Sequence, residues 1–278
     1  MRGLLALALA ALAVGGTALA APAWHPPGRG RALVAAHRGG ALLWPENSLL
    51  AFRNALALRV DSLELDVHLS RDGEVVVIHD ATLDRTTTGT GPVRQRTLAE
   101  LRALRLRDRG GAATAEVLPT LDEVAALAAD ASRHLLVEIK TGPGGDRYPG
   151  IEEKVLAILD HRGMARTAVV MAFEPATWLR LRELRPALRA GALFSLRGLE
   201  RTGVPLAATM DFAIQSGVAF VGLEHVLVTA RSVEQAREAG IALGAWTVNT
   251  PDAIRHVIDR GASVVISDRP DLVLEALR

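Results

Sequence analysis

Eight apolar β-type runs follow residue 32, and a helical pattern accompanies them along the chain. This alternation predicts an α/β fold, a TIM (β/α)8 barrel, with a β-hairpin and a long insertion after the second strand. Two further observations support it. The 278-residue length suits one such barrel and is marginal for two ordinary domains. Charged and polar residues also recur where strands should end: His37, Glu64, Asp66, His79, Glu138, Glu224, Trp246, Asn249 and Asp268. In such barrels the chemistry sits at the C-terminal strand ends. An open doubly wound sheet is the rival, but no G-x-G-x-x-G follows the first strand.

The first twenty residues read as a secretory signal peptide. Arg2 supplies the positive start, Leu4 to Val14 an apolar run too short to span a bilayer comfortably, and Ala18-Leu19-Ala20 a cleavage pattern. The expected location is therefore exported, periplasmic or extracellular, with an uncleaved N-terminal anchor as the alternative. Residues 21–32 read as a linker, and the barrel occupies 33–278.

Leu33–Ala36 is a short first strand ending at His37. Glu46-Asn47-Ser48 then opens a helix over Leu49–Leu58. Ser62–Leu69 alternates strictly, with Leu63, Leu65, Val67 and Leu69 on one face and Glu64, Asp66 and His68 on the other. Asp72-Gly73 sits between two β-type runs, a hairpin signal. Val75–Ile78 is thus expected to fold back antiparallel and return His79 to the neighbourhood of Asp66. Residues 81–117 are polar and turn-rich, with a short helix expected over Leu98–Leu106; long ordered loops of this kind usually carry function. Pro119-Thr120 opens a helix to about Ala129, and His134–Lys140 is the third barrel strand, with Glu138 and Lys140 on one face. Strand–helix units then follow: Thr167–Ala172 with Pro175–Leu184, Ala190–Phe194 with a loop and Pro205–Ser216, and Val218–Leu223 with Ser232–Ala239. Ala242–Val248 with Pro251–Arg260 and Ser263–Ser267 with a terminal helix complete the eight.

Composition narrows the chemistry. A net charge of +1 gives no bulk attraction for nucleic acid. Cysteine is absent, which removes disulfides and thiolate catalysis. The chain holds only two lysines, Lys140 and Lys154, so the placement of Lys140 beside Glu138 stands out. Unpaired carboxylates are costly inside an apolar strand, and three that converge also repel one another. A cation relieves both costs. The residues themselves therefore point to metal-assisted phosphoryl transfer with two histidines beside the metal. Ion pairing with Arg59, Arg71 or the barrel lysine is the competing account of the acids.

The order of motifs resembles the glycerophosphodiester phosphodiesterase family, within the phospholipase C-like phosphodiesterase superfamily, over residues 33–278. The matching segments are His37-Arg38-Gly39, Pro45-Glu46-Asn47-Ser48, Glu64-Leu65-Asp66-Val67, Arg71-Asp72-Gly73, His79-Asp80 and Leu83-Asp84-Arg85-Thr86-Thr87. Leu118-Pro119-Thr120-Leu121, Glu138-Ile139-Lys140, Trp246-Thr247-Val248-Asn249 and Ser267-Asp268-Arg269-Pro270 continue the series. The resemblance implies Glu64, Asp66 and Glu138 as ligands of one divalent cation. Hard oxygen donors suit Ca²⁺ or Mg²⁺, and Ca²⁺ is favoured for an exported protein. It implies His37 and His79 as general acid and base, a role imidazole suits near neutral pH. Arg38 and Lys140 are implied to hold phosphate, and Trp246 to line the site, with core packing as its alternative role. Glu46 either orients Arg38 or lines the site, with helix capping as the rival role; His68 shares the acidic face and is expected behind the acids, and His225 is a weaker candidate for substrate contact. One departure is Ala172-Phe173, where the family pattern often has Ser-Phe.

The implied reaction is hydrolysis of a small glycerophosphodiester to sn-glycerol 3-phosphate and an alcohol. Phospholipase D-like or cyclising action on lysolipids is one alternative, and a non-catalytic phosphodiester-binding protein is another. No nucleic-acid partner and no stable membrane insertion after signal removal are expected, and the sequence assigns no oligomeric state.

Overall fold

The computed structural model of the protein describes residues 31–278. The segment expected to be a signal peptide, 1–20, and nearly all of the expected linker, 21–32, lie outside the described residues. Among the described residues the strands are β1 (Leu33–Ala36), β2 (Ser62–Leu69), β3 (Val75–Val77), β4 (His134–Ile139), β5 (Ala168–Ala172), β6 (Arg189–Phe194), β7 (Phe220–Glu224), β8 (Ala242–Trp246) and β9 (Val264–Ser267). All but β3 pair in parallel, in the order β1-β9-β8-β7-β6-β5-β4-β2, and the β1–β2 pairing closes the ring. The chain is therefore an eight-stranded parallel barrel. β3 adds antiparallel to β2, with Val67 opposite Val77, as the Asp72-Gly73 turn predicts.

Closure splits the apolar residues into two layers. Leu63, Leu65 and Val67 of β2 face the helices and join the large outer core. Burying each contributes about 1.5–3 kcal/mol, which offsets the cost of the acids on the strand's other face. The barrel interior holds Leu33, Ala35, Leu136, Val169, Met171, Leu193, Phe220, Ala242, Val264 and Ile266, with Trp246 packed on top. Phe220 fills the centre so tightly that a Cβ on Gly244 would lie 2.5 Å from its Cζ. The glycine there is demanded by close approach.

The helices are α1 (Leu49–Ala57), α2 (Leu98–Arg102), α3 (Leu121–Asp130), α4 (Ile151–His161), α5 (Pro175–Leu184), α6 (Leu196–Thr202), α7 (Leu206–Gln215), α8 (Ala230–Glu238), α9 (Pro251–Asp259) and α10 (Pro270–Ala276). Their starts follow the sequence. Ser48 caps α1 by accepting from Ala51 N, while Thr97 and Thr120 form capping boxes with Glu100 and Glu123. α4 and α6 are additions to the elements read from the sequence, and α2 stops at Arg102 rather than Leu106. The insertion is not a loose loop. Leu83, Val93, Leu101, Leu106 and Leu118 pack with Val76 and Ile78 of the hairpin into a small core of their own. No helix among the described residues is long and apolar enough to cross a membrane.

Candidate active site

Parallel pairing of β2 with β4 sets Asp66 directly beside Glu138, and Glu64 one inward step below Asp66. All three carboxylates are buried. Each offers an oxygen within 4.8 Å of the other two. Burial, then the neighbouring Asp66 charge, pushes the Glu64 carboxyl up to about 8. Burial also works against an ionised Asp66, but Lys140 and Arg38 outweigh it and hold Asp66 well below the usual carboxylate range.

Arg59 and Arg71 do not neutralise this trio. Arg71 pairs instead with Glu100 at the surface. The barrel lysine does reach it: Lys140 Nζ lies 2.5 Å from Glu138 Oε1 and 3.0 Å from Asp66 Oδ1. The second approach is an ion pair without hydrogen-bond alignment, and Asp66 Oδ1 is left buried with no hydrogen-bond partner. Three hard oxygens within a few ångströms of one another fit a divalent cation of the Ca²⁺ or Mg²⁺ kind. Glu64, Asp66 and Glu138 are the residues that would hold it.

The segment His37-Arg38-Gly39 makes a tight turn at the end of β1. Arg38 adopts φ +51°, a sparsely populated conformation for a non-glycine residue. It is held by Arg38 N donating to Glu64 Oε2 at 2.9 Å and Asn47 N donating to Arg38 O at 2.8 Å. Gly39 follows at φ +82°, where a Cβ would lie 2.7 Å from Ala51 Cβ, so α1 can seat against the turn only if the side chain is absent. The Arg38 guanidinium lies between acids, with Nη1 3.1 Å from Glu46 Oε1 and Nε 3.4 Å from Asp66 Oδ2. Asn47 Nδ2 donates to the same Asp66 oxygen at 2.9 Å.

Each proposed catalytic histidine has a carboxylate behind it. His37 Nδ1 lies 2.6 Å from Asp268 Oδ1. Asp268 is in turn held by Asn249, whose Nδ2 donates to Oδ2 at 2.7 Å and whose Oδ1 accepts from Asp268 N. Burial pushes the Asp268 carboxyl up, but His37 and Asn249 outweigh it, so the acid lies below its ordinary value. An ionised carboxylate only accepts, so Nδ1 carries the proton and Nε2 faces the acids, 3.9 Å from Glu64 Oε2. His79 repeats the arrangement, with Nδ1 2.6 Å from Asp80 Oδ1. Ile78 N donates to Asp66 O at 3.0 Å, which pins this end of the hairpin against β2. His68 stays behind the site, bonded to Tyr148 Oη at 2.8 Å and to the His79 carbonyl at 3.0 Å.

Arg85 joins the two sides. Its Nε and Nη2 donate to Asp80 at 2.7 and 3.0 Å, and its Nη1 and Nη2 donate to Glu46 at 2.7 and 2.8 Å. One guanidinium thus clamps the carboxylate behind His79 and the carboxylate that holds Arg38. Ser48, not Glu46, caps α1. Sequence reasoning places Asp80, Asp268 and Arg85 in matching motifs but gives them no role. Trp246 ends β8, edge-on to Phe173 at 5.4 Å, with its indole N–H buried and without an acceptor. Ala172 is the fully buried last residue of β5, directly before that exposed phenylalanine.

Known proteins resemble the chain in sequence and fold. The model of the Glycerophosphoryl diester phosphodiesterase family matches residues 37–272. A glycerophosphodiester phosphodiesterase of Caldanaerobacter subterraneus subsp. tengcongensis is 32% identical over 249 residues, covering 89% of this chain and 98% of that one. One from Bacillus subtilis is 29% identical over 258 residues, covering 87% and 85%. Among solved structures, a glycerophosphodiester phosphodiesterase of Agrobacterium tumefaciens superposes with a TM-score of 0.70 at 26% identity, over 87% of this chain and 99% of that one. An Oleispira antarctica phosphodiesterase in complex with its product sn-glycerol-3-phosphate does so with a TM-score of 0.75 at 25% identity, over 89% and 97%. On the family match and these relatives, the chain belongs to the glycerophosphoryl diester phosphodiesterase family.

Proposed function

We propose that this protein hydrolyses glycerophosphodiesters to sn-glycerol 3-phosphate and an alcohol, with a divalent cation, Ca²⁺ by preference, on Glu64, Asp66 and Glu138. The observation that carries the reading is the buried carboxylate trio flanked by two histidines, each backed by its own carboxylate. The cation, when bound, neutralises phosphate charge and lowers the pKa of an attacking hydroxyl. The protein's own groups do the rest. Lys140 and Arg38 place positive charge beside the phosphate; Arg38 can grip two oxygens, whereas Lys140 acts as a point charge. One imidazole takes the proton of the glycerol hydroxyl as it attacks phosphorus to give a cyclic phosphate. The other protonates the departing alcohol oxygen. Water then opens the ring with the two roles exchanged.

The experiment is a product assay on sn-glycero-3-phosphocholine with EDTA, then with Ca²⁺ or Mg²⁺ restored. Release of sn-glycerol 3-phosphate that stops with EDTA and returns with one cation is the expected result. Unchanged turnover in EDTA would remove the metal, and no turnover under any condition would leave a phosphodiester-binding protein. A second reading has one observation in its favour. Phe173, Leu196 and Val226 follow β5, β6 and β7 and stand 42%, 42% and 53% exposed, an apolar arc beside the charged half of the mouth. A lysolipid with its acyl chain on that arc would give a lysophosphatidic or cyclic product, which the same assay distinguishes. Export is supported by the leader pattern of residues 1–20.

A further inference from the structure

A cavity of about 220 Å³ lies between the loop after β1 and the insertion. Its walls include Trp44 and Glu46 from the loop and Arg85, Arg107, Asp108 and Arg109 from the insertion. Two of these residues are shared with the candidate active site, since Glu46 holds Arg38 and Arg85 holds the carboxylate behind His79. The cavity therefore shares two side chains with the network that positions Arg38 and His79.

The charges in it do not cancel. Arg85 and Glu46 are satisfied by one another and by Asp80 and Arg38. Arg107 donates only to the carbonyls of Thr87 and Gly111, so it meets no carboxylate among the described residues. Arg109 makes no hydrogen bond or ion pair among the described residues. Against these two guanidinium groups stands Asp108, and its Oδ1 is already used by Ala112 N in the turn that shapes the wall. One net positive charge remains, presented on a fork that matches carboxylate and phosphate oxygens.

Resting on the hydrolysis proposed above, we infer that this cavity is a subsite for the alcohol half of the substrate, and that it favours alcohols carrying a further negative charge. Glycerol bears no charge, so with the scissile phosphate at the metal trio any anion in the cavity belongs to the alcohol. A carboxylate, as in sn-glycero-3-phosphoserine, and a second phosphodiester, as in bis(glycerophospho)glycerol, present the same oxygen chemistry to Arg107 and Arg109. Cationic choline is disfavoured there.

The test compares kcat/KM for those two substrates with the neutral sn-glycero-3-phosphoglycerol and with sn-glycero-3-phosphocholine. Arg109→Ala and Arg109→Glu are the variants, because Arg109 holds no other part of the structure. The expected result is a loss of about tenfold on the anionic substrates in Arg109→Ala, the size of one charge-assisted contact, seen in KM. The neutral substrate should stay within about twofold, and Arg109→Glu should move the preference toward choline. The carboxylate and phosphodiester arms show which anion the cavity takes. Equal losses on all four substrates, or none on any, overturn the inference. Calorimetric binding separates the two layers of the argument. Should nothing be turned over, the hydrolysis reading fails, while the subsite still requires the anionic compounds to bind wild type more tightly than the neutral one and to lose that margin in Arg109→Ala. Equal affinities there overturn the subsite by themselves.

Discussion

His37 and His79 each have a carboxylate behind the ring. Asp268 and Asp80 fix the Nδ1 proton of each, and His37 Nε2 is left toward the acids. Positioned imidazoles of this kind contribute about 10²–10⁴-fold. His37→Ala and His79→Ala should each lower kcat by at least about 100-fold, with circular dichroism and thermal midpoint close to wild type; near-native turnover in either would remove it from the acid/base pair. Arg85 acts through others. Its four donated bonds to Asp80 and Glu46 need a planar fork, which lysine lacks. Arg85→Lys should lose about ten- to 100-fold, because small misplacements of reacting groups cost that much. The loss should fall on kcat more than on KM, and added guanidinium should partly restore Arg85→Ala. A lysine enzyme as fast as wild type would show that one cation, not a clamp, is enough. The acids and both histidines are legible in the sequence because each interrupts or ends an apolar run. Their partners are not. Asp268 meets His37 across 231 residues, and Arg85 meets Glu46 across 39. Such pairings follow from which strand ends adjoin, and spacing along the chain does not encode that by itself.

At the scale of elements, most strands are legible because a parallel barrel buries both faces and so demands continuous apolar runs, and β2 by its alternation of apolar and charged residues. α4 has a helical signal in Ile151, Val155, Leu156 and Leu159, which are buried on one side, but no helix is expected from the sequence between β4 and β5. α6 offered none, since none of its residues is buried. The insertion reads as polar because its few apolar residues are scattered, and only the hairpin beneath them makes those residues a core. The barrel interior supports a sharper test. Phe220 occupies space that a side chain on β8 would need, so Gly244→Ala overpacks the centre. Overpacking of this kind costs about 1–3 kcal/mol, measurable as a shifted urea midpoint with unchanged slope. Phe220→Leu should itself destabilise the barrel, but the two together should cost less than the sum of the singles. Additive costs would mean that the ring is not what forbids the methyl group.

Over the whole molecule, closure is what makes the site. The acids come from β2 and β4, one histidine from the end of β1, its carboxylate from the residue after β9, and the other histidine from the hairpin β2 carries. Folding thus gathers like charges, a cost that Lys140 and Arg38 offset in part and that a bound cation would offset further. Glu64 shows the sign. Burial and Asp66 push its carboxyl up from its ordinary value of 4.5 to about 8. An acid that holds its proton more tightly when folded favours the fold at low pH. That contribution is complete below the unfolded value near 4.5 and is lost as the pH rises toward about 8, at up to about 1.4 kcal/mol per pH unit. Metal-free protein should therefore have a lower thermal midpoint at pH 8 than at pH 6. A cation requires the ionised carboxylates and binds only the folded arrangement. The rise in midpoint on adding millimolar Ca²⁺ should accordingly be larger at pH 8 than at pH 6. Glu64→Gln should remove most of the metal-free pH dependence in this window, and should also shrink the Ca²⁺ shift because one donor is gone. The same Ca²⁺ shift at both pH values in the wild-type protein would mean that Glu64 does not exchange a proton for the cation.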